Sequence, residues 1–419
     1  MRIDSDDPAV TDALAALRRT VLDDGGAFSP QLRIVARGGE LTVEADPDAD
    51  TEGRLMQVPV SCLPPNEAFE VTVVDGEFAV VRETETVPEP ARTSFYRMLD
   101  VYNACGKAAA WRKASPWFAL RADPAVFNAL LDLRPDVPKV AKHRKLAEAG
   151  DDGELLVASF LGARVFNLRP RAATQADAEQ EPEISDRADG RHVLMPVIDF
   201  LNHDFRARSY QITVDDDDVR RLWTYGDRPV AGSRECFVRY SPMDMLDAYL
   251  NYGFVDESVA MFRSVPVELA LPDGTRIEVG ARGGQAFQGK LPEFLEDARF
   301  FVPPILDSRG AGHLSVARLV LPGPEAPRAL RRVLGFLIAT IRPNQGQAAR
   351  RDAVLAAEAQ VLRANRARFD DLVTRVAEAR AQPPRHPPPG RAEALAAVDR
   401  LADRAKAYVD AYAHRMGLT

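Results

Sequence analysis

Cysteine, histidine and long apolar runs are all scarce in this 419-residue chain. Its three cysteines, Cys62, Cys105 and Cys236, are too few and too widely spaced for a disulfide framework or a four-cysteine zinc site, and read as small buried hydrophobes. Six histidines occur without a His-x3-His pair, so no dedicated metal centre is expected. The longest dense apolar run, Val333 to Ile341, falls far short of the ~20 residues that cross a bilayer, and no membrane span is expected. The chain opens on the acidic "MRIDSDDPAV" rather than a basic flank and an apolar segment, which points away from a signal peptide and toward the cytoplasm. A basic excess is missing too: the net charge of -8 argues against a surface that coats nucleic acid.

What is present is enough for more than one packed unit, because a single hydrophobic core stops growing at ~250–300 residues. The 46% hydrophobic and 28% charged residues are those of a globular protein. Arginine greatly outnumbers lysine and alanine is abundant, a bias that base composition in a GC-rich bacterial genome would by itself produce and that carries no functional weight. Up to Arg92, short runs such as "LRIVAR", "GRLMQVPV" and "AFEVTVVDGEFAVVRE" read as strands, with Asp75-Gly76 marking a tight hairpin. From Thr93 the spacing turns helical, and Asp123 before Pro124 marks a helix start. A polar, turn-rich loop is expected over 169–190, after which strand character returns in "RHVLMPVIDF", "SYQITVDD", "RRLWTYGD" and "ECFVRY". Three helical stretches follow, around 326–341, 347–381 and 391–416, split at "QPPRHPPPG". In the second of these, Leu355, Leu362 and Phe369 stand seven apart, and Leu372 and Val376 continue the stripe as a packing seam or a partner-binding coiled coil.

The chemistry gathers around "MPVIDFLNHDF", where an apolar run ends on Asn202 and His203. On its own such a pair is as well read as a turn-capping amide and a satisfied core imidazole. Downstream stand Gly232, Glu235 and Tyr240, and then Tyr252-Gly253-Phe254-Val255. Taken in order, with Asp199 ahead of the pair, these elements resemble the SET-domain methyltransferases. More closely they are similar to the branch typified by Rubisco large-subunit lysine methyltransferase. "GRLMQVPVSCLPP" and "GARVFN", the latter with Arg164 in place, are similar to two further motifs of that branch.

The resemblance implies an α+β chain: a β-rich SET fold interrupted by a helical insertion and followed by a mainly helical C-terminal domain. In numbers this is a split SET domain at 1–92 and 190–257, an insertion at 93–189, and a substrate- or partner-binding domain at 258–419. It implies S-adenosylmethionine as cofactor, held by Gly38, Gly39, Arg164, Asp199, Asn202 and His203. Tyr240 and Tyr252 take the catalytic positions, and Phe166 and Phe254 line a substrate channel. Methyl transfer from a sulfonium is an in-line displacement, so alignment and water exclusion matter more than a strong base. The implied acceptor is a lysine of a protein or peptide, with a small-molecule amine or a histidine nitrogen as alternatives; a lysine amine, ordinarily of pKa ~10.4, must be neutral to attack.

The chain also departs from the pattern. The first motif, ordinarily Gly-x-Gly, is Gly38-Gly39 here, Gly232 stands one residue further from Glu235, and Tyr240 is followed by Ser241. A catalytically silent scaffold that binds a partner through its C-terminal helices is therefore the rival expectation.

Overall fold

Asp7 opens the first helix, Pro8–Asp23: its carboxylate accepts the Ala9 amide at 2.8 Å, and Pro8 sits where a missing N–H costs nothing. Val10, Leu14, Leu17 and Val21 recur at helical spacing and are all buried. The helix lies in a region whose short apolar runs read as strands, and the Asp-Pro start is its local signal. The structure, a computed structural model, describes residues 1–50, 52–168, 190–214, 219–241, 243–281, 291–307 and 312–418. It is α+β, with helices inserted among the strands and a mainly helical C-terminal region.

The chain divides into two units, one of Met1–Arg112 with Asp151–Pro242, the other of Lys113–Gly150 with Met243–Thr419. These boundaries fall elsewhere than the composition changes near residues 92 and 257. The helix Glu89–Ala104 packs Phe95, Met98, Leu99 and Tyr102 into the first unit, beside the first helix, so only part of the expected insertion leaves that unit. The loop expected over 169–190 lies, but for Gly190, outside the described residues.

In the first unit, β1 (Arg2–Ser5) runs parallel to β3 (Leu32–Arg37), which turns into antiparallel β4 (Glu40–Ala45). Leu32, Ile34, Ala36, Leu41, Val43 and Ala45 are buried in strict alternation, the period of a sheet with one covered face. Gly38 and Gly39 make the turn, both at positive φ as a two-residue hairpin requires. A Cβ on Gly39 would lie 2.5 Å from the Cys105 carbonyl oxygen, so nothing larger fits. A second sheet has the order β11 (Gln211–Val214), β12 (Arg220–Thr224), β5 (Met56–Pro59), β2 (Ala27–Phe28). The hairpin of β6 (Phe69–Val74) and β7 (Glu77–Glu83) turns at Asp75-Gly76, where the Asp-Gly pair predicts it. Of "RHVLMPVIDF" only Arg191–Val193, β9, is strand, paired with β8 (Phe166–Leu168); beyond it the chain turns at Pro196.

The second unit holds the four-stranded sheet β15 (Val267–Ala270), β16 (Arg276–Val279), β18 (His313–Val316), β17 (Ile305–Asp307), and the pair β14 (Met261–Arg263) with β19 (Val320–Pro322). Its long helix, Gln347–Ala381, buries Val361, Leu362, Phe369, Leu372 and Val376 among the helices Ala329–Ile341 and Arg391–Arg415 and strand β15. The apolar stripe is thus a seam inside the unit. Asp123 does precede a helix, Pro124–Leu131, but its carboxylate makes no cap; both oxygens bind the buried Arg391 guanidinium at 2.7 Å.

Charge is also buried around the helix Met245–Tyr252. Asp244 caps it by accepting the Leu246 and Asp247 amides and binds Arg134; Asp247 binds Arg134 and Arg263, and Arg263 reaches Asp136. Burial pushes the Asp244 carboxyl up, whereas at Asp247 the guanidiniums of Arg263 and Arg134 outweigh burial and hold it below the ordinary value. Replacing such a group by well-packed apolar residues can be neutral, but removing one member strands its partners. Asp247→Ala should therefore destabilise the second unit by about 3–5 kcal/mol. Urea unfolding followed by Trp117 fluorescence checks this, and an unchanged midpoint would show that the network adds nothing.

Candidate functional site

The segment ahead of Asn202 is forced into a sharp turn. Pro196 accepts the Ile198 amide at 2.8 Å across Val197, which has φ 66° and ψ −44°, a γ-turn with positive φ at a buried β-branched residue. Such a backbone costs of order 1–3 kcal/mol and persists only where its surroundings over-determine it. One 3-10 turn follows, Ile198–Phe200, and then the chain enters β10 (Asn202–His203), which lies parallel to β13 (Phe237–Val238) for just these two residues.

That short crossing gathers Asn202, His203, Glu235 and Tyr240. The Tyr240 hydroxyl donates to the Leu201 carbonyl at 2.7 Å, and the Tyr240 amide donates to His203 Nδ1 at 3.0 Å. With Nδ1 accepting, a neutral His203 ring carries its proton on Nε2. The two rings stand 5.2 Å apart. Asn202 donates from its amide nitrogen to Glu235 at 2.7 Å. Glu235 in turn bridges to Glu44 of β4, whose neighbours Val43 and Ala45 bond the backbone of Cys236 and Arg234.

Asp199 sits on the 3-10 turn, its side chain 9% exposed, with one carboxylate oxygen accepting from the Tyr102 hydroxyl at 2.7 Å and lying 3.3 Å from Arg164 Nε. Burial pushes its carboxyl up to about 6, although Arg164, the Tyr102 hydrogen bond and Lys107 all oppose this. Arg164 follows the helix Asp152–Gly162, donates to the Phe160 carbonyl, and lies over the Phe160 ring at 3.7 Å with Trp111 and Tyr102 further out. Arg164 and Asp199, expected from two separate motifs, are therefore in contact.

The Gly38–Gly39 turn belongs to the same neighbourhood. Gly39 lies against Cys105, and two residues on Lys107 pairs with Glu40, the first residue of β4, at 2.9 Å. Phe166 on β8 faces Tyr210, ring centroids 5.8 Å apart. Tyr252 and Phe254 belong to the second unit, where Gly253 closes the helix Met245–Tyr252 at φ 80° and their rings stand 6.0 Å apart. Sequence reasoning missed Tyr102, Trp111, Phe160 and Lys107, which occupy stretches whose helical period announces packing alone. Among the described residues no three His, Cys, Asp or Glu side chains gather as a metal set, and no helix is long and apolar enough to cross a membrane.

No family model matches the chain, and no curated protein matches it. Among solved structures it is similar to the SET domain of LSMT bound to lysine and AdoHcy, at 12% identity over 98% of this chain and 92% of that one, with a TM-score of 0.42. It is also similar to Rubisco LSMT bound to sinefungin and monomethyllysine, at 13% identity over 98% and 92%, with a TM-score of 0.38.

The Asp199 geometry has a consequence for stability. The folded chain keeps a proton on Asp199 up to about pH 6, whereas an unfolded one releases it near the ordinary 3.8. Stability should fall as pH rises through that window and level off above it, by about 3 kcal/mol at ~1.4 kcal/mol per pH unit. Comparing unfolding free energies of the wild type and Asp199→Asn from pH 4 to 7 tests this; parallel curves would contradict it.

Proposed function

We propose that the chain is an S-adenosylmethionine-dependent N-methyltransferase acting on a lysine side chain of a protein. The observation that carries this reading is the commitment of the Tyr240 hydroxyl proton to the Leu201 carbonyl, immediately ahead of Asn202 and His203. With its one proton spent, the phenol oxygen can only accept, which suits it to orient an amine N–H. A tyrosine serving merely as a core ring would have no need to stand beside this crossing, with its amide held by His203.

The residues present suit such a cofactor. Exposed Asn202 and the Glu235 carboxylate offer a donor and acceptors to a purine and its ribose, and cationic Lys107 stands beside the glycine turn. Arg164 acts through Asp199, fixing the turn that leads into β10. When bound, S-adenosylmethionine supplies a methyl group on a cationic sulfonium. Tyr240 aligns the acceptor nitrogen, while Phe166 and Tyr210 offer aromatic surface that favours the neutral amine. The acid-rich composition of the chain tolerates a basic target.

One observation favours the silent scaffold instead. The need for glycine at position 39 is already met by packing against Cys105, so that residue alone does not argue for a cofactor.

Calorimetric titration with AdoHcy, together with methyl transfer from radiolabelled S-adenosylmethionine into lysate proteins, separates the readings. Tyr240→Phe should retain AdoHcy binding and lose transfer by 10²-fold or more. Label appearing only in a metabolite fraction would move the acceptor to a small amine. Absence of AdoHcy binding to the wild type would favour the scaffold.

A further inference from the structure

We propose that Lys107 takes the carboxylate at the amino-acid end of the cofactor, an assignment that rests on the methyltransferase reading above. Two cations stand near Asp199, and they differ in how firmly they are held. Arg164 is spoken for on several sides: by the Phe160 carbonyl, by Asp199, and by the ring beneath it. Lys107 is paired with Glu40 alone among the described contacts, and the pair is lopsided, with the lysine side chain 12% exposed and the glutamate 74%. A carboxylate that far into solvent holds its partner weakly and keeps its own rotamer freedom when released. A nearly buried ammonium with an exchangeable partner is a ready receptor for an anion arriving from solvent.

Strand β4 supplies the ruler. Its first residue, Glu40, is at Lys107, and Glu44, four residues on, bridges to Glu235, whose carboxylate holds Asn202. At ~3.3 Å per residue the two points are about 13 Å apart along the strand, a span that an extended nucleoside bearing a four-carbon amino acid would cover. The 3-10 turn carrying Asp199 packs beside β4. The adenine would lie at the Asn202 and Glu235 end and the carboxylate at Lys107.

The test is calorimetric titration of the full chain with AdoHcy and with 5′-methylthioadenosine, which keeps the nucleoside and sulfur and lacks the carboxylate. Lys107→Met should weaken AdoHcy binding tenfold or more and leave 5′-methylthioadenosine unchanged, and Lys107→Arg should restore most of the loss. Glu40→Ala, a change at an exposed side chain, should act in the opposite direction and tighten AdoHcy by freeing the ammonium. Equal weakening of both ligands, or unaltered AdoHcy affinity in Lys107→Met, would overturn the assignment while leaving the methyltransferase reading in place. If the wild type bound neither ligand, both would fall together.

Discussion

The Asp199 carboxylate ties together three segments remote in sequence, and the geometry of the first unit's site follows from that bond set. Tyr102 reaches it from the helix Glu89–Ala104, Arg164 from the end of the helix Asp152–Gly162, and its own backbone lies three residues before Asn202. Taking a carboxylate out of water costs several kcal/mol, so the interaction exists only because the hydroxyl and the guanidinium arrive in register. The strained turn at Val197 is held on the same stretch, with Leu194 bonded to Pro64 and Asp199 to Met195. The crossing at exposed Asn202 and half-buried His203 is thus presented by an interior that leaves it little freedom.

The second unit uses buried charge differently. Its two guanidiniums and three carboxylates around the helix Met245–Tyr252 form an interior network whose members each have at least one partner of opposite sign. Glu358 repeats the device on the long helix, accepting from Tyr412 and Arg331 with its side chain fully buried. These ion pairs fix one helix against another with directional bonds where apolar contact alone would permit sliding.

Much of the architecture is readable from local pattern. The Asp75-Gly76 hairpin, the helix after Asp123, and the long helix with its seam follow from turn chemistry and periodicity, which act over a few residues. Of the candidate site, Asn202, His203 and Tyr240 form an ordered pattern in the sequence, and the fold brings these three to one crossing, three residues beyond Asp199. What stayed hidden is non-local. Nothing near Tyr102 or Phe160 announces that their rings will box Arg164, and nothing near Arg134 points to Asp244, 110 residues away. Asp123 shows the limit plainly, since the side chain that suggests a cap is drawn off by Arg391, 268 residues later.

That last distance has a bearing on how the chain comes to be built. The segment Lys113–Gly150 belongs to the second unit, although it lies inside the sequence of the first. During synthesis it emerges early, with Arg134 and Asp123 awaiting Asp244, Arg263 and Arg391, the last of which follows Asp123 by 268 residues. At ~5–20 residues per second, that leaves apolar helices and charges destined for burial unpartnered for ten seconds or more. Until those partners exist, the faces the segment will bury stay open to solvent.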